Sequence, residues 1–359
     1  MRVTLLSAEL GNRMSGQSRF ALNLALGLRR SGIELSVCAA AASADVRRTL
    51  QAAGVPLTCL ERTVGGRAYQ SRLLLPGSHL GRDLAQVAVA DSPADWFLVL
   101  SDEAVDAVEG LGGRPAVYIS NGDLSLLFLN RRLYDGRGIA MRALSGFMAT
   151  NLLRHAELIG QYRRRLANSE FTRQFLSYLY GTLFDGVVFP PVDPTVFHPT
   201  PPTPGEPYVL ALARNRAEPA LPFLAELAKR VPVTVVGGAR VAGCQTVNAP
   251  SDSELAAWYA GAQVVVAPTI SEFFGYSVAE SLACGTPVVV PNVGGPAEQV
   301  RDGVNGWVCG SIDEMLSRAE GAVRAGTTAS MRQHCVVSSR PYTIERVSES
   351  LLRTMGWSA

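Results

Sequence analysis

Short apolar runs alternate with segments of helical period along the whole chain, and the alternation stops and restarts at one proline-rich stretch. Val3-Thr4-Leu5-Leu6 reads as a strand, Arg19 to Arg30 as a helix and Glu34 to Ala40 as a second strand. Phe97 to Leu100 and Ala116 to Ile119 read as further buried strands, and a long helical tract from about Ile139 to Leu166 leads into Ala167-Asn168-Ser169. Prolines at 199, 201, 202, 204 and 207 then forbid a helix or strand through Val196 to Pro207. The pattern resumes with a strand at Tyr208 to Ala213, a helix at Leu221 to Arg230 and a strand and turn at Val233 to Gly238. It continues with a helix at Glu254 to Ala260, a strand at Val264 to Val266, a helix at Val278 to Cys284 and a strand at Pro287 to Val290. Such alternation predicts an α/β protein of two doubly wound, parallel-sheet domains. We expect domains over 1–195 and 208–340, a linker over 196–207, and a last helix within 341–359 that packs back on the first domain.

Bulk properties narrow the classes. The 359 residues suit two domains, and 47% apolar residues can fill two cores. A net charge of +2 gives no argument for a nucleic-acid partner. The N-terminus reads as a strand, not a secretory signal, and no apolar run approaches a membrane span, so a cytoplasmic protein is expected. The six cysteines are scattered without metal spacing, which predicts buried free thiols. Only Lys229 among 33 basic residues is a lysine. The clusters Arg131-Arg132 and Arg163-Arg164-Arg165 read as a solvated helix face, with weak peripheral contact to an anionic membrane surface as the alternative.

The chemistry concentrates in Ala267 to Gly306. In Pro268-Thr269-Ile270-Ser271-Glu272-Phe273-Phe274-Gly275-Tyr276-Ser277-Val278-Ala279-Glu280 a strand ends, a glycine turn follows and a helix begins near Tyr276. Open α/β sheets bind ligands at that carboxyl edge. The amides of Gly275, Tyr276 and Ser277 would open a positive helix terminus suited to phosphate, bracketed by Glu272 before the turn and Glu280 one turn inside. The competing reading is an ordinary strand–turn–helix with a solvated glutamate. Gly285-Thr286-Pro287 and Gly294-Gly295-Pro296 read as tight turns.

Four strings together resemble the retaining glycosyltransferases of the glycogen-synthase and sucrose-synthase type, glycosyltransferase family 4, of GT-B architecture. They are Ala167-Asn168-Ser169-Glu170-Phe171-Thr172-Arg173, Pro190-Pro191-Val192-Asp193 with Phe197, the paired-glutamate segment, and Gly285-Thr286-Pro287 through Gly294-Gly295 to Gly306. Tyr342-Thr343-Ile344-Glu345-Arg346 is similar to the family's closing helix. The resemblance implies two Rossmann-like domains facing a central cleft, with a nucleoside-diphosphate sugar as co-substrate, no cofactor and no metal. It implies that Glu272 holds the donor sugar, Glu280 the ribose, and the amides at Gly275 to Ser277 the diphosphate. Phe274 lies in the same segment, and backbone near Gly237, Gly238 and Ile270 would meet the base. Gly16, in Met14-Ser15-Gly16-Gln17, matches the family's glycine loop.

Two positions depart from the family pattern. Arg214 fits the phosphate-clamp arginine, but Pro219 stands where the lysine belongs. Lys229 would lie roughly 12 Å along the next helix, so Arg216 is the natural replacement. In the first domain the family's histidine slot is filled by Asn121, with Asp123 as its rival, and none of the four histidines falls there. The expected function is retaining, metal-independent sugar transfer from a nucleotide sugar to an acceptor hydroxyl, the acceptor being bound by the first domain. The alternatives are a catalytically silent sugar-nucleotide or partner-binding protein, and a sugar-nucleotide epimerase.

Overall fold

The computed structural model describes residues 1–11, 16–60, 79–91, 93–122, 152–201, 206–213, 220–248, 250–270 and 272–357. Met14, Ser15, Asp123, Arg131, Arg132, Arg214, Arg216 and Pro219 lie outside the described residues, as does the stretch 139–151 read as helix. The chain divides into two compact units, Met1–Pro190 with Val347–Ala359, and Pro191–Arg346.

The first unit holds a seven-stranded sheet of β1 (Arg2–Leu10), β2 (Glu34–Ala42), β3 (Leu57–Cys59), β4 (Trp96–Leu100), β5 (Ala116–Ser120), β6 (Arg164–Ala167) and β7 (Gly186–Val187). Its order is β3-β2-β1-β4-β5-β6-β7, and every pairing is parallel. The second unit repeats the scheme with β8 (Val209–Leu212), β9 (Val233–Val236), β10 (Gln245–Val247), β11 (Val264–Val266), β12 (Val288–Pro291) and β13 (Gly306–Cys309). There the order is β10-β9-β8-β11-β12-β13, again all parallel. Both sheets are therefore doubly wound, with a reversal of strand order between β1 and β4 and between β8 and β11. At such a reversal the helices leave to opposite faces and open a crevice at the carboxyl edge.

The central strands are buried on both faces, which explains their unbroken apolar runs. Val264, Val265, Val288, Val289 and Val290 are fully buried, as are Phe97, Leu98, Val99 and Leu100. One expected element is different. The helix that covers residues 152–160 ends there, and Arg164–Ala167 is strand β6, paired with β5 through Val117↔Arg164 to Ser120↔Ala167. Only Leu166 and Ala167 of that strand are buried, so its three-arginine entry masks the strand signal. The arginine triplet is accordingly no helix face. Arg163 lies over the Trp96 ring at 5.1 Å and Arg165 pairs with Asp185 at 3.1 Å.

All six cysteines are free. Burial pushes the Cys38 and Cys335 thiols up to about 12, which keeps them protonated and inert at neutral pH. Among the described residues no helix is long and apolar enough to cross a membrane.

Candidate functional site

The carboxyl edge of the second sheet brings together the residues singled out between Ile270 and Glu280. Strand β11 ends at Val266, and the chain passes through Ala267–Ile270 and Glu272–Phe274 into the helix Tyr276–Ala283. Gly275 caps that helix at φ +84° and supplies no side-chain acceptor. The neighbouring helices Asp252–Gly261, Ile312–Ala325 and Ala329–Ser339 are capped by the side chains of Ser251, Ser311 and Thr328. First-turn amides of a helix have no carbonyl one turn back, so a terminus without a cap side chain favours an anion from outside. Here the Gly275 amide donates to Glu272 Oε1 at 3.2 Å, which draws the glutamate over the helix end.

The two glutamates sit in opposite environments. Glu272 is exposed. Glu280 is 2% exposed, and its Oε2 accepts from Tyr259 Oη at 3.0 Å. A carboxylate so buried persists only with polar partners, so the tyrosine hydroxyl fixes its orientation as well as stabilising it. Tyr259 is itself held from two sides. Its carbonyl accepts from Thr286 Oγ1 at 2.7 Å, and the Phe197 ring packs on it edge-on at 6.2 Å. The Phe197 and Gly285-Thr286-Pro287 strings noted in the sequence thus both act on the tyrosine that orients Glu280.

The glutamate loop is locked from behind by the second glycine turn. Gly295 N donates to the Glu272 carbonyl at 3.1 Å. A Cβ on Gly294 would stand 2.6 Å from that same carbonyl oxygen, and one on Gly295 would fall 2.6 Å from Phe274 Cα and deeper still into the Phe273 carbonyl. These glycines are more than loop punctuation: they let two backbones touch. Gln299, buried, donates to the Phe274 carbonyl at 2.5 Å, and Asn305 Nδ2 holds the Gln299 carbonyl at 3.0 Å. The Phe274 ring is 3% exposed and packs edge-on against Tyr276 and Tyr342. Phe274 therefore supports the loop from below. Tyr342 is pinned in turn by its carbonyl, which accepts from Val192 N at 2.7 Å.

Other predicted positions are nearby or elsewhere. Gly237 and Gly238 follow β9 with φ of +117° and +93°, a turn that only glycine takes without strain. Ile270 is exposed, four residues beyond the end of β11. In the first unit Gly16 opens the helix Gly16–Arg30. Asn121 follows β5, 7% exposed, and its carbonyl accepts from Asn168 Nδ2 at 3.2 Å. Sequence reading missed Tyr259, Gln299 and Glu103. The first two carry no motif of their own, and only their burial and partners reveal them. Glu103 follows β4, where burial and then the neighbouring Asp102 charge push its carboxyl up to about 6. Gln17 Nε2 lies 3.4 Å from its Oε2.

Residues 219–323, which include both glutamates and both glycine turns, match the family model "Glycosyl transferases group 1". This segment is similar to the group 1 glycosyl transferases. The D-inositol 3-phosphate glycosyltransferase of Frankia alni is 32% identical over 203 residues, covering 45% of this chain and 50% of that protein. The enzyme of the same description from Paenarthrobacter aurescens is 53% identical over 53 residues, 15% of this chain and 13% of its own. The chain thus spans half or less of the length of these curated relatives. Among solved structures, Anabaena HepE in complex with UDP-glucose superposes with a TM-score of 0.74 at 17% identity, covering 99% of both chains. Sucrose-phosphate synthase from Thermosynechococcus elongatus gives a TM-score of 0.74 at 13% identity, over 99% of this chain and 98% of the other. At such identities the likeness is one of fold, and the fold is GT-B: two Rossmann-like, parallel-sheet domains.

Proposed function

We propose that this protein transfers a sugar, with retention and without a metal ion, from a nucleoside-diphosphate sugar to an acceptor hydroxyl. The observation that carries the reading is the glutamate pair astride the uncapped helix Tyr276–Ala283 at the switch point of the second sheet. Exposed Glu272 receives the sugar hydroxyls. Buried Glu280, oriented by Tyr259, receives the ribose hydroxyls, and the first-turn amides with Arg214 and Arg216 neutralise the diphosphate. Sugar departure generates an oxocarbenium-like centre and a negative phosphate on one face. Fixed dipoles and guanidinium charge aimed at that phosphate lower the barrier, and the phosphate itself accepts the acceptor's proton. The HepE complex with UDP-glucose supports a uridine donor, and the inositol-phosphate relatives support a small polar acceptor. Acceptor recognition belongs to the first unit, with Asn121 and Asp123 as its catalytic-side residues. A cytoplasmic setting completes the proposal.

A panel of UDP-, GDP-, ADP- and dTDP-sugars read by thermal shift and donor consumption tests it. At least one donor should raise Tm and turn over in the presence of EDTA, giving a product of unchanged anomeric configuration by NMR. Glu272→Gln should lower turnover about 100-fold or more, the loss of a transition-state contact of about 3 kcal/mol, with Tm intact because the side chain is exposed. Binding without turnover across acceptors would favour the silent sugar-nucleotide-binding alternative.

A further inference from the structure

A second cluster, in the first unit, has donor chemistry that sugar transfer does not use. His79, Asp106 and Glu109 each present a ligand atom, and the three atoms lie within 4.8 Å of one another. Backbone packing forces the approach. A Cβ on Gly81 would come within 2.6 Å of Ala107 N, so the turn that carries His79 into the helix Leu80–Asp91 lies directly on the segment after β4. Asp83 N donates to the His79 carbonyl at 2.8 Å, which ties the histidine's backbone to that helix.

The bonding at the cluster is one-sided. Asp106 is 6% exposed, and its Oδ1 accepts from Gly81 N at 2.8 Å. Its Oδ2 is buried without a hydrogen-bond partner, and so is His79 Nδ1. Buried polar atoms without partners are rare in native proteins, and two on residues whose ligand atoms lie within 4.8 Å of one another call for an occupant. Glu109 stands at the exposed side, where one carboxylate oxygen keeps a 3.6 Å ion pair with Arg154.

We infer that His79, Asp106 and Glu109 bind one divalent transition-metal ion of the zinc class. One imidazole and two carboxylates form a borderline donor set that suits zinc and disfavours the all-oxygen magnesium and calcium sites. Three atoms no further apart than these leave a point within about 2.8 Å of all three, and small side-chain rotations close that to zinc bonds of ~2.0–2.2 Å. Solvent takes the fourth position on the Glu109 side. The ion clips the start of the helix Leu80–Asp91 to the segment after β4. It takes no part in the proposed sugar transfer.

The test uses the full chain, stripped with a chelator, dialysed and titrated with ZnCl2 by calorimetry. We expect one saturable equivalent, a rise in Tm on zinc addition, and at least tenfold weaker binding in both His79→Gln and Glu109→Gln. Glu109→Gln changes an exposed residue, so it reports even where His79→Gln folds poorly. Cys59→Ser, which removes a half-buried thiol, leaves binding unchanged. With CoCl2, ligand-field bands appear without a thiolate charge-transfer band. Absence of a saturable equivalent, or loss of binding that follows Cys59→Ser and not Glu109→Gln, would overturn the assignment. Donor binding and turnover are read separately, so failure here leaves the glutamate site to stand on its own test.

Discussion

The two sheets share one strand order, yet their switch points treat carboxylates differently. In the second unit Glu272 is exposed, Glu280 is buried with Tyr259 Oη on one oxygen, and glycine-only backbone contacts fix the loop between them. In the first unit the carboxylates after β4 are drawn into the protein. Asp102 Oδ1 accepts from Tyr118 Oη at 2.9 Å and from Ser120 Oγ at 2.6 Å, and burial lifts Glu103 toward neutrality. Topology alone therefore supplies a crevice but not a binding site. What distinguishes the second edge is an eight-residue helix that opens on a glycine, held by close backbone contacts, with one carboxylate exposed before it and one buried inside it.

That contrast can be broken first at the glycines. Gly295→Ala drives a methyl group into the Phe273 carbonyl and should cost about 3 kcal/mol, read as a lower Tm with lost donor binding. The same change at Gly321, exposed within the helix Ile312–Ala325 with nothing within 4 Å of its Cβ, should leave donor binding unchanged and raise stability by about 1 kcal/mol, the helix preference of alanine over glycine. Tyr259→Phe keeps the ring but removes the hydroxyl from a buried carboxylate. A loss of about 2 kcal/mol in stability is expected by denaturant melt, with weaker nucleotide binding, because Glu280 loses a charge-assisted bond.

The smallest test concerns the first unit. Glu103 has its carboxyl raised from 4.5 to about 6, so the folded state holds its proton more tightly than the unfolded chain. Stability from this group is present below pH 4.5 and declines as pH rises through about 6, by about 2 kcal/mol in total. Glu103→Gln should remove that decline and stabilise the protein at pH 7, as denaturant melts at pH 4.5 and 7 would report. A decline that persists in the variant would place its source elsewhere.

Much of this was legible in the sequence because apolar runs and glycine turns report directly on buried strands and tight backbones. The strands β4, β5, β11 and β12 fall where their valines and leucines place them. Strand β6 was hidden because Arg163-Arg164-Arg165 carries no alternation, and the reason its arginines are tolerated lies in Asp185 and Trp96, far away in sequence. The glutamate pair could be seen as a motif, but its supports could not. Tyr259, Gln299 and Phe197 reach the loop from separate segments, and no local pattern encodes a hydroxyl that meets Glu280 or an amide that meets the Phe274 carbonyl.

The central claim is that the sugar nucleotide binds at the second unit's glutamates. Calorimetric titration of the full chain with UDP, beside GDP, ADP and dTDP, tests it when repeated on Glu280→Gln and Glu103→Gln. The account predicts that at least one nucleotide binds, at least tenfold more weakly to Glu280→Gln and with unchanged affinity to Glu103→Gln. Unchanged affinity in Glu280→Gln together with loss in Glu103→Gln would contradict it and move the nucleotide to the first unit.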